Sequence, residues 1–231
     1  MPETEISVII PSYLEEENLR VILPRIVSTL KALKITWEIN IIDTLKPMDY
    51  TEAVCRQYGV NYYNREGSNE YGSAVRTGIA KAKGKYLLFM DADGSHSPEM
   101  ISQLFEFRRE YDVVIASRYV EGGGSDNSKS LIMMSLIVNK IFSLVLGLNC
   151  KDVSNSFKIY RAEQLKTLNL YCHEFDIIEE ILVKLKRKFP ALKIKEVPYV
   201  FKERMWGHTK RNLFVFMLLY IKTLLVLKFR K

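Results

Sequence analysis

The stretch Tyr86-Leu87-Leu88-Phe89-Met90-Asp91-Ala92-Asp93-Gly94-Ser95-His96-Ser97-Pro98 changes character at Asp91. Its first five residues are an unbroken apolar run of strand length, the pattern of a strand covered on both faces. Asp91 and Asp93 then follow at i and i+2, so both carboxylates leave the same strand end. Oxygen ligands so spaced suit a hard cation such as magnesium or manganese. A cation there bridges a diphosphate and stabilises it as a leaving group. The other use for such aspartates is to cap the turn and helix that follow. Ser97 and Pro98 read as the N-cap and first residue of that helix, which extends to about Arg109.

Working outward, residues 6–10 form a β-branched strand stopped by Pro11, and residues 38–42 form another that ends on Asp43. Between them, Leu19, Ile22, Leu23, Ile26, Leu30 and Leu33 keep helical spacing over residues 16–33, with Pro24 expected to kink or interrupt the helix. A helix over residues 51–58, a strand over 60–63 and a helix over 71–82 lead into the opening stretch, and a strand over 112–116 follows it. This alternation predicts an α/β fold with a mostly parallel central sheet flanked by helices. Open parallel sheets bind ligands at the carboxyl ends of their strands. The polar residues of interest fall there: Ser12, Tyr13 and Glu15 after Pro11, then Asp43, Asp91 and Asp93, and finally Ser117 and Arg118.

With 231 residues, 48% hydrophobic and 26% charged, the chain has the balance of a globular protein able to bury a core. A net charge of +7 and a pI near 9.2 point to anionic partners, acidic lipid or phosphorylated small molecules among them. The basic excess gathers in Lys184-Leu185-Lys186-Arg187-Lys188 and in residues 202–231. No nucleic-acid-binding motif accompanies it, so nucleic acid is not an expected partner. The three cysteines, Cys55, Cys150 and Cys172, are scattered and odd in number, which fits a reducing compartment. The acidic Met1-Pro2-Glu3-Thr4-Glu5 runs straight into a strand and lacks the form of a signal peptide, so a cytoplasmic location is expected.

Five blocks, in order, resemble family 2 glycosyltransferases of the GT-A fold, in their dolichol-phosphate mannosyltransferase-like, polyprenyl-phosphate branch. They are Ser7-Val8-Ile9-Ile10-Pro11-Ser12-Tyr13-Leu14-Glu15-Glu16-Glu17-Asn18; Met90-Asp91-Ala92-Asp93-Gly94-Ser95-His96-Ser97-Pro98-Glu99; Ser117-Arg118-Tyr119-Val120-Glu121-Gly122-Gly123; Asp152-Val153-Ser154-Asn155-Ser156-Phe157-Lys158; and Glu196-Val197-Pro198 with Phe201, Arg204, Gly207, Thr209 and Lys210. The resemblance implies a GT-A nucleotide-sugar-binding fold and inverting transfer of a sugar from a GDP- or UDP-linked donor to a polyprenyl phosphate, dolichyl or undecaprenyl. It implies that Pro11, Tyr13, Glu15 and Asp43 hold the base and ribose, with Gly72 in the loop near the nucleotide. Asp91, Asp93 and Ser95 would serve a Mg2+ or Mn2+ ion. Ser117, Arg118, Arg204 and Lys210 would face the donor and the acceptor phosphate, with Asp93, Arg118, Arg204 and Lys210 carrying the chemistry. A phosphate acceptor is already a nucleophile at neutral pH, so it asks for cationic clamps rather than a strong base. For Arg118 the competing use is a surface salt bridge.

The chain departs from the pattern at several positions. Thr44 stands where a second aspartate is usual, and Ser95 where glutamine is common. Ser156 replaces a glycine, and Lys129 is the sole cation where an arginine is expected after the glycine loop. A degenerate nucleotide-sugar-binding scaffold without transferase activity would show such losses; intact Asp91 and Asp93 argue against it. A sugar nucleotidylyltransferase would need a glycine-rich, basic signature after the first strand, where Pro11-Ser12-Tyr13 and three glutamates stand instead.

Two segments are apolar enough for membrane contact. Residues 131–148 hold Lys140 as their one charge, with Ser135, Asn139, Ser143 and Gly147 forming a narrow stripe every four residues. Residues 213–229 are apolar apart from Lys222, Thr223 and Lys228, and basic residues flank them. As a helix they span roughly 26 Å against a hydrocarbon core of about 30 Å. The expectation is a catalytic domain over residues 1–210 and a C-terminal amphipathic helix over 211–231. That helix would lie on an anionic membrane surface, placing the protein peripherally at the inner face of a membrane. A packing helix or an oligomer contact are the other uses of these segments.

Overall fold

The computed structural model describes residues 3–206 and 222–229. In chain order the elements are β1 (Ile6–Pro11), α1 (Glu16–Ala32), β2 (Trp37–Asp43), α2 (Thr51–Tyr58), β3 (Asn61–Asn64), α3 (Tyr71–Lys81), β4 (Tyr86–Phe89), α4 (Met100–Glu106), β5 (Val113–Ser117), β6 (Gly124–Ser125), α5 (Lys129–Leu146), β7 (Lys158–Arg161), α6 (Ala162–Leu165), α7 (Ile177–Lys188), β8 (Ile194–Pro198) and β9 (Val200–Phe201). Seven strands form one sheet in the order β3-β2-β1-β4-β7-β5-β8, and β6 pairs with β9 in a small parallel ribbon. All neighbours in the large sheet are parallel except β7, which runs antiparallel between β4 and β5. The expectation of a mostly parallel sheet holds. The strand β7 escaped the sequence reading because Lys158 and Arg161 bracket just two apolar residues, Ile159 and Tyr160.

Successive strand residues face opposite sides of the sheet, and each side carries its own core. Ile9, Ile42, Leu87, Phe89, Val113 and Ile115 meet α3 and α7 on one side. Val8, Ile10, Ile39, Ile41, Leu88 and Val114 meet α1, α2 and α4 on the other. That double burial explains the near-continuous apolar strands. Pro24 neither breaks α1 nor ends it. The carbonyl of Arg20, left without its usual i+4 donor, accepts the hydroxyl of Tyr58 at 3.3 Å. α4 begins at Met100, three residues after the expected cap. Ser97 and Pro98 instead form the preceding turn through bonds from the amides of Met100 and Ile101, both 3.1 Å. The Ser97 amide donates to the hydroxyl of Tyr199 at 2.8 Å.

The residues 222–229 are helical and lie against the rest of the described chain. Leu227 is fully buried in the α7-side core, and the Thr223 hydroxyl donates to Asp176 Oδ2 at 2.9 Å. Arg187 donates to the carbonyls of Leu227 and Lys228, and Lys228 Nζ reaches the carbonyl of Val145 at 2.8 Å. The described end of the C-terminal segment is therefore clasped between α7 and the end of α5. The rest of that segment, Lys210 included, lies outside the described residues.

Candidate active site

The carboxyl ends of β1, β2, β4 and β5 carry the polar residues singled out above. Asp91 and Asp93 sit on the turn that leaves β4, and each accepts a serine hydroxyl. Ser156 donates to Asp91 Oδ1 at 2.9 Å, and Ser95 donates to Asp93 Oδ1 at 2.6 Å. The Ser95 amide adds a second bond to the same oxygen at 3.0 Å. Burial alone would raise the Asp93 carboxyl, but the Ser95 hydroxyl and amide, together with Arg204, hold it below the usual carboxylate range. Ser95 is thus buried behind Asp93 and orients it. The turn itself needs Gly94, whose φ is +81°. A Cβ there would lie 2.6 Å from the side chain of Met205.

His96 anchors the turn from beneath. It is fully buried and stacked on Phe157, with Tyr199 and Phe201 edge-on. The Asp91 amide donates to its Nδ1 at 2.9 Å, which assigns the proton to Nε2, 3.1 Å from Asn155 Oδ1. Burial pushes its pKa down, so the ring is a neutral brace.

Arg204 crosses the opening of the site. Its Nη2 bonds Glu15 Oε1 at 2.9 Å and its Nε bonds Asp93 Oδ2 at 3.2 Å. The strap that carries it is tied down by the Met205 amide on the Asp93 carbonyl and the Lys202 amide on the Ser95 carbonyl. Burial raises the Glu15 carboxyl, with the Asn18 amide and Arg204 opposing. Beside it, exposed Leu14 adopts a left-handed φ of +57°, a conformation that costs an L residue roughly 1–2 kcal/mol. A guanidinium between the carboxylates of Glu15 and Asp93 is a cation in a place built for positive charge. Asp91 and Asp93 therefore fit a hard divalent ion whose other positions a diphosphate and water would fill. Among the described residues no group of three or more His, Cys, Asp or Glu side chains could hold a metal ion.

Asp43, at the end of β2, is buried. Its Oδ2 accepts the Tyr62 hydroxyl at 3.0 Å, and burial raises its pKa. Arg65 braces this corner by donating to the carbonyls of Asp43, Asn69 and Ser12. Gly72 is committed elsewhere. Its amide bonds the His173 carbonyl at 2.7 Å, and a Cβ would lie 2.3 Å from the Cys172 carbonyl, so it serves a close backbone contact. Pro11 ends β1 and Tyr13 is partly exposed beside the opening.

On the acceptor side, Ser117 and Arg118 have partners within the protein. Ser117 is fully buried and its hydroxyl donates to Glu196 Oε1 at 2.7 Å. Arg118 clasps the fully buried Asp152 through Nε at 2.8 Å and Nη2 at 2.7 Å, and Nη2 also reaches Ser154. The pairing is bidentate and largely buried, neither a surface bridge nor an open phosphate clamp. Glu196 accepts the amides of Lys151 and Asp152, which fixes the loop that presents Asp152. Lys129 is exposed at the start of α5. Asp152, Asn155, Ser156 and Glu196 were quoted within sequence blocks, but nothing in their residue types assigned these bonds.

The comparisons with known proteins bear on the family and the fold. The model of the family described as Glycosyl transferase family 2 matches residues 7–168. A dolichol-phosphate mannosyltransferase of Pyrococcus furiosus is 33% identical over 213 residues, covering 89% of this chain and 59% of its own. The chain thus spans about three-fifths of that relative's length. A dolichol-phosphate mannosyltransferase of Saccharomyces cerevisiae is 29% identical, covering 97% of this chain and 88% of its own. Among solved structures, glucosyl-3-phosphoglycerate synthase of Mycobacterium tuberculosis with Mn2+, UDP and phosphoglyceric acid superposes with a TM-score of 0.74 at 18% identity, covering 99% of this chain and 79% of that one. The same synthase with Mg2+ and UDP gives a TM-score of 0.71 at 16% identity, covering 98% and 79%. At such identities the likeness concerns the fold.

Proposed function

The chain belongs to the family 2 glycosyltransferases, and from that premise we propose that it transfers a sugar, with inversion, from a GDP- or UDP-linked donor to a polyprenyl phosphate in a membrane. The observation that carries this reading is the pair Asp91 and Asp93 at the end of β4, each held by a serine hydroxyl, with Arg204 bonded to Asp93. A Mg2+ or Mn2+ ion on these carboxylates would supply charge stabilisation for the departing nucleoside diphosphate. Both ions accompany UDP in the structural relatives.

The chain's own groups divide the remaining work. Asp43, Pro11 and Tyr13 line the base side, and Glu15 holds Arg204 ready beside Asp93. The acceptor phosphate needs no base to become a nucleophile, and Arg204, Lys129 and Lys210 are the cations assigned to receive it. The names of the relatives support a dolichyl-type acceptor. So does a groove of about 610 Å³ lined by Tyr119, Leu136, Lys140, Leu144 and Lys151, which joins apolar walls to two cations. Peripheral membrane binding rests on α5, long and apolar enough to cross a membrane yet largely unburied, and on exposed Leu225 and Phe229. Lys140, Lys222 and Lys228 would add roughly 1 kcal/mol each at an anionic surface. The three buried, unpaired cysteines fit the cytoplasmic face.

The test is a radiolabel transfer assay with polyprenyl phosphate, a panel of GDP- and UDP-sugars, and manganese or magnesium. An organic-extractable labelled product is the expected result; donor binding without any turnover would instead identify a scaffold. Asp93→Asn should weaken Mn2+-dependent donor binding by about 100-fold or more with an unchanged circular dichroism spectrum. Full Mn2+-dependent binding by that variant would remove the carboxylate pair from the site.

A further inference from the structure

Asp91 and Asp93 each have one oxygen committed within the protein and one turned toward the opening. Asp93 Oδ1 accepts both the hydroxyl and the amide of Ser95, at 2.6 and 3.0 Å. A carboxylate oxygen has two lone pairs, so this atom is saturated. Asp93 Oδ2 meets Arg204 Nε at 3.2 Å. Asp91 Oδ1 accepts the Ser156 hydroxyl at 2.9 Å, whereas its Oδ2 has no hydrogen-bond partner among the described residues. His96 Nε2 lies 3.9 Å from that oxygen and bonds Asn155 instead. Both aspartate side chains keep access to solvent, 27% for Asp91 and 17% for Asp93.

The backbone of the turn is committed as well. The Asp93 carbonyl accepts the Met205 amide at 3.0 Å, and the Ser95 carbonyl accepts the Lys202 amide and the Tyr199 hydroxyl. The pair therefore offers a cation two single oxygens, one from each carboxylate. That number discriminates between ions. Mg2+ takes an octahedral shell at about 2.0–2.1 Å, in which one or two carboxylates suffice and phosphate and water supply the rest. Mn2+ accepts the same kind of octahedral oxygen shell. Ca2+ takes about 6–8 oxygens at about 2.3–2.6 Å and gathers them from bidentate carboxylates and carbonyls. The serine hydroxyls deny it the bidentate mode, at Asp93 by saturating Oδ1 and at Asp91 by drawing Oδ1 toward the loop before β7.

Resting on the reading of Asp91 and Asp93 as the metal carboxylates, we propose that Ser95 and Ser156 set which ion the site accepts. They hold each carboxylate to one oxygen and so favour Mg2+ and Mn2+ over Ca2+. Both are positioning residues that act through the aspartates. Ser95 has the larger share, because its hydroxyl completes the saturation of Asp93 Oδ1. Ser156 stands where the resembling sequences carry glycine, which would leave Asp91 Oδ1 without this donor.

The experiment follows Mn2+ binding to the full chain by electron paramagnetic resonance, with UDP or GDP present and Ca2+ as competitor. It reads the ratio of the Ca2+ to the Mn2+ dissociation constant. In the wild type Ca2+ should bind about tenfold or more weakly than Mn2+. Ser95→Ala frees a lone pair of Asp93 Oδ1 and should bring the ratio toward one, a shift of about tenfold. Ser156→Ala should shift it the same way by about threefold, and Ser156→Thr, which keeps the hydroxyl, should retain the wild-type ratio. Ca2+ bound as tightly as Mn2+ by the wild type overturns the proposal. So does an unchanged ratio in the folded alanine variants, where a merely structural role would weaken both ions equally. Absence of Mn2+ binding by the wild type with either nucleotide would instead overturn the metal reading itself, and this proposal with it.

Discussion

α1 and α5 are nearly equal in length, at 17 and 18 residues, and they turn opposite sides to the protein. α1 buries Leu19, Ile22, Leu23, Ile26 and Leu30, and sends Arg20 and Arg25 outward to Glu16 and Glu99. α5 presents its polar stripe inward. Asn139 is buried, accepts the amides of Val153 and Ser154, and donates to Ser154 Oγ. Leu131, Met133, Leu136, Ile137, Ile141 and Leu144 face out, Leu144 at 81% exposure. Helical periodicity reports that a helix has an apolar face, whereas the surroundings decide whether that face meets the core. A helix inverted in this way presents an apolar face to the surroundings, and the clasped helix at residues 222–229 adds Phe229, 77% exposed, to the described apolar surface.

The sharpest test of this contrast is to shorten one apolar side chain on each helix. Ile26→Ala should cost about 2–5 kcal/mol in chemical denaturation, because it opens a cavity in a sealed core. If Ile141→Ala costs as much in the absence of membranes, the outward face of α5 is no free surface. A second measurement uses flotation with anionic vesicles. Leu144→Ser with Phe229→Ser should lose about 1.5–3 kcal/mol of partitioning per side chain, while thermal stability in buffer stays within about 0.5 kcal/mol. Unchanged flotation would assign the face to something other than lipid. The smallest effect comes from the inward stripe. Asn139→Ala leaves the Val153 and Ser154 amides without their acceptor and should destabilise the domain by about 1–3 kcal/mol. It should also loosen the loop that carries Ser156 to Asp91, seen as faster amide exchange over residues 152–156. Exchange as slow as in the wild type would show that the loop is held without it.

β1, β2, β4 and β5 were legible because each is largely buried on both faces and so reads as a short apolar run, whereas β8, half-buried and interrupted by Lys195 and Glu196, was not read from the sequence. The order of the motifs along the chain likewise placed Asp43, Asp91 and Asp93 at strand ends. Pro24 does not interrupt α1, and a neighbouring helix supplies the hydroxyl that its missing amide calls for. Lys158 hid β7: it is a fully buried lysine held by the carbonyls of Val153 and Asn155, and composition gives no notice of such a cage. Ser95, Ser117 and Arg118 were legible as motif residues, but their partners Asp93, Glu196 and Asp152 came only from the folded chain.

What the amino-acid sequence determined by itself is the local and the periodic: strand and helix identity, the polar residues at strand ends, the carboxylate pair, and the basic, apolar character of the C-terminal region. These follow from side-chain spacing and backbone preference, which act over a few residues. What the tertiary structure alone decided is partnership. Ser156 meets Asp91 across 65 residues, and Arg204 meets Glu15 across 189. A hydrogen bond is set by atoms within about 3 Å, and only the folded chain brings atoms so far apart in sequence to that distance.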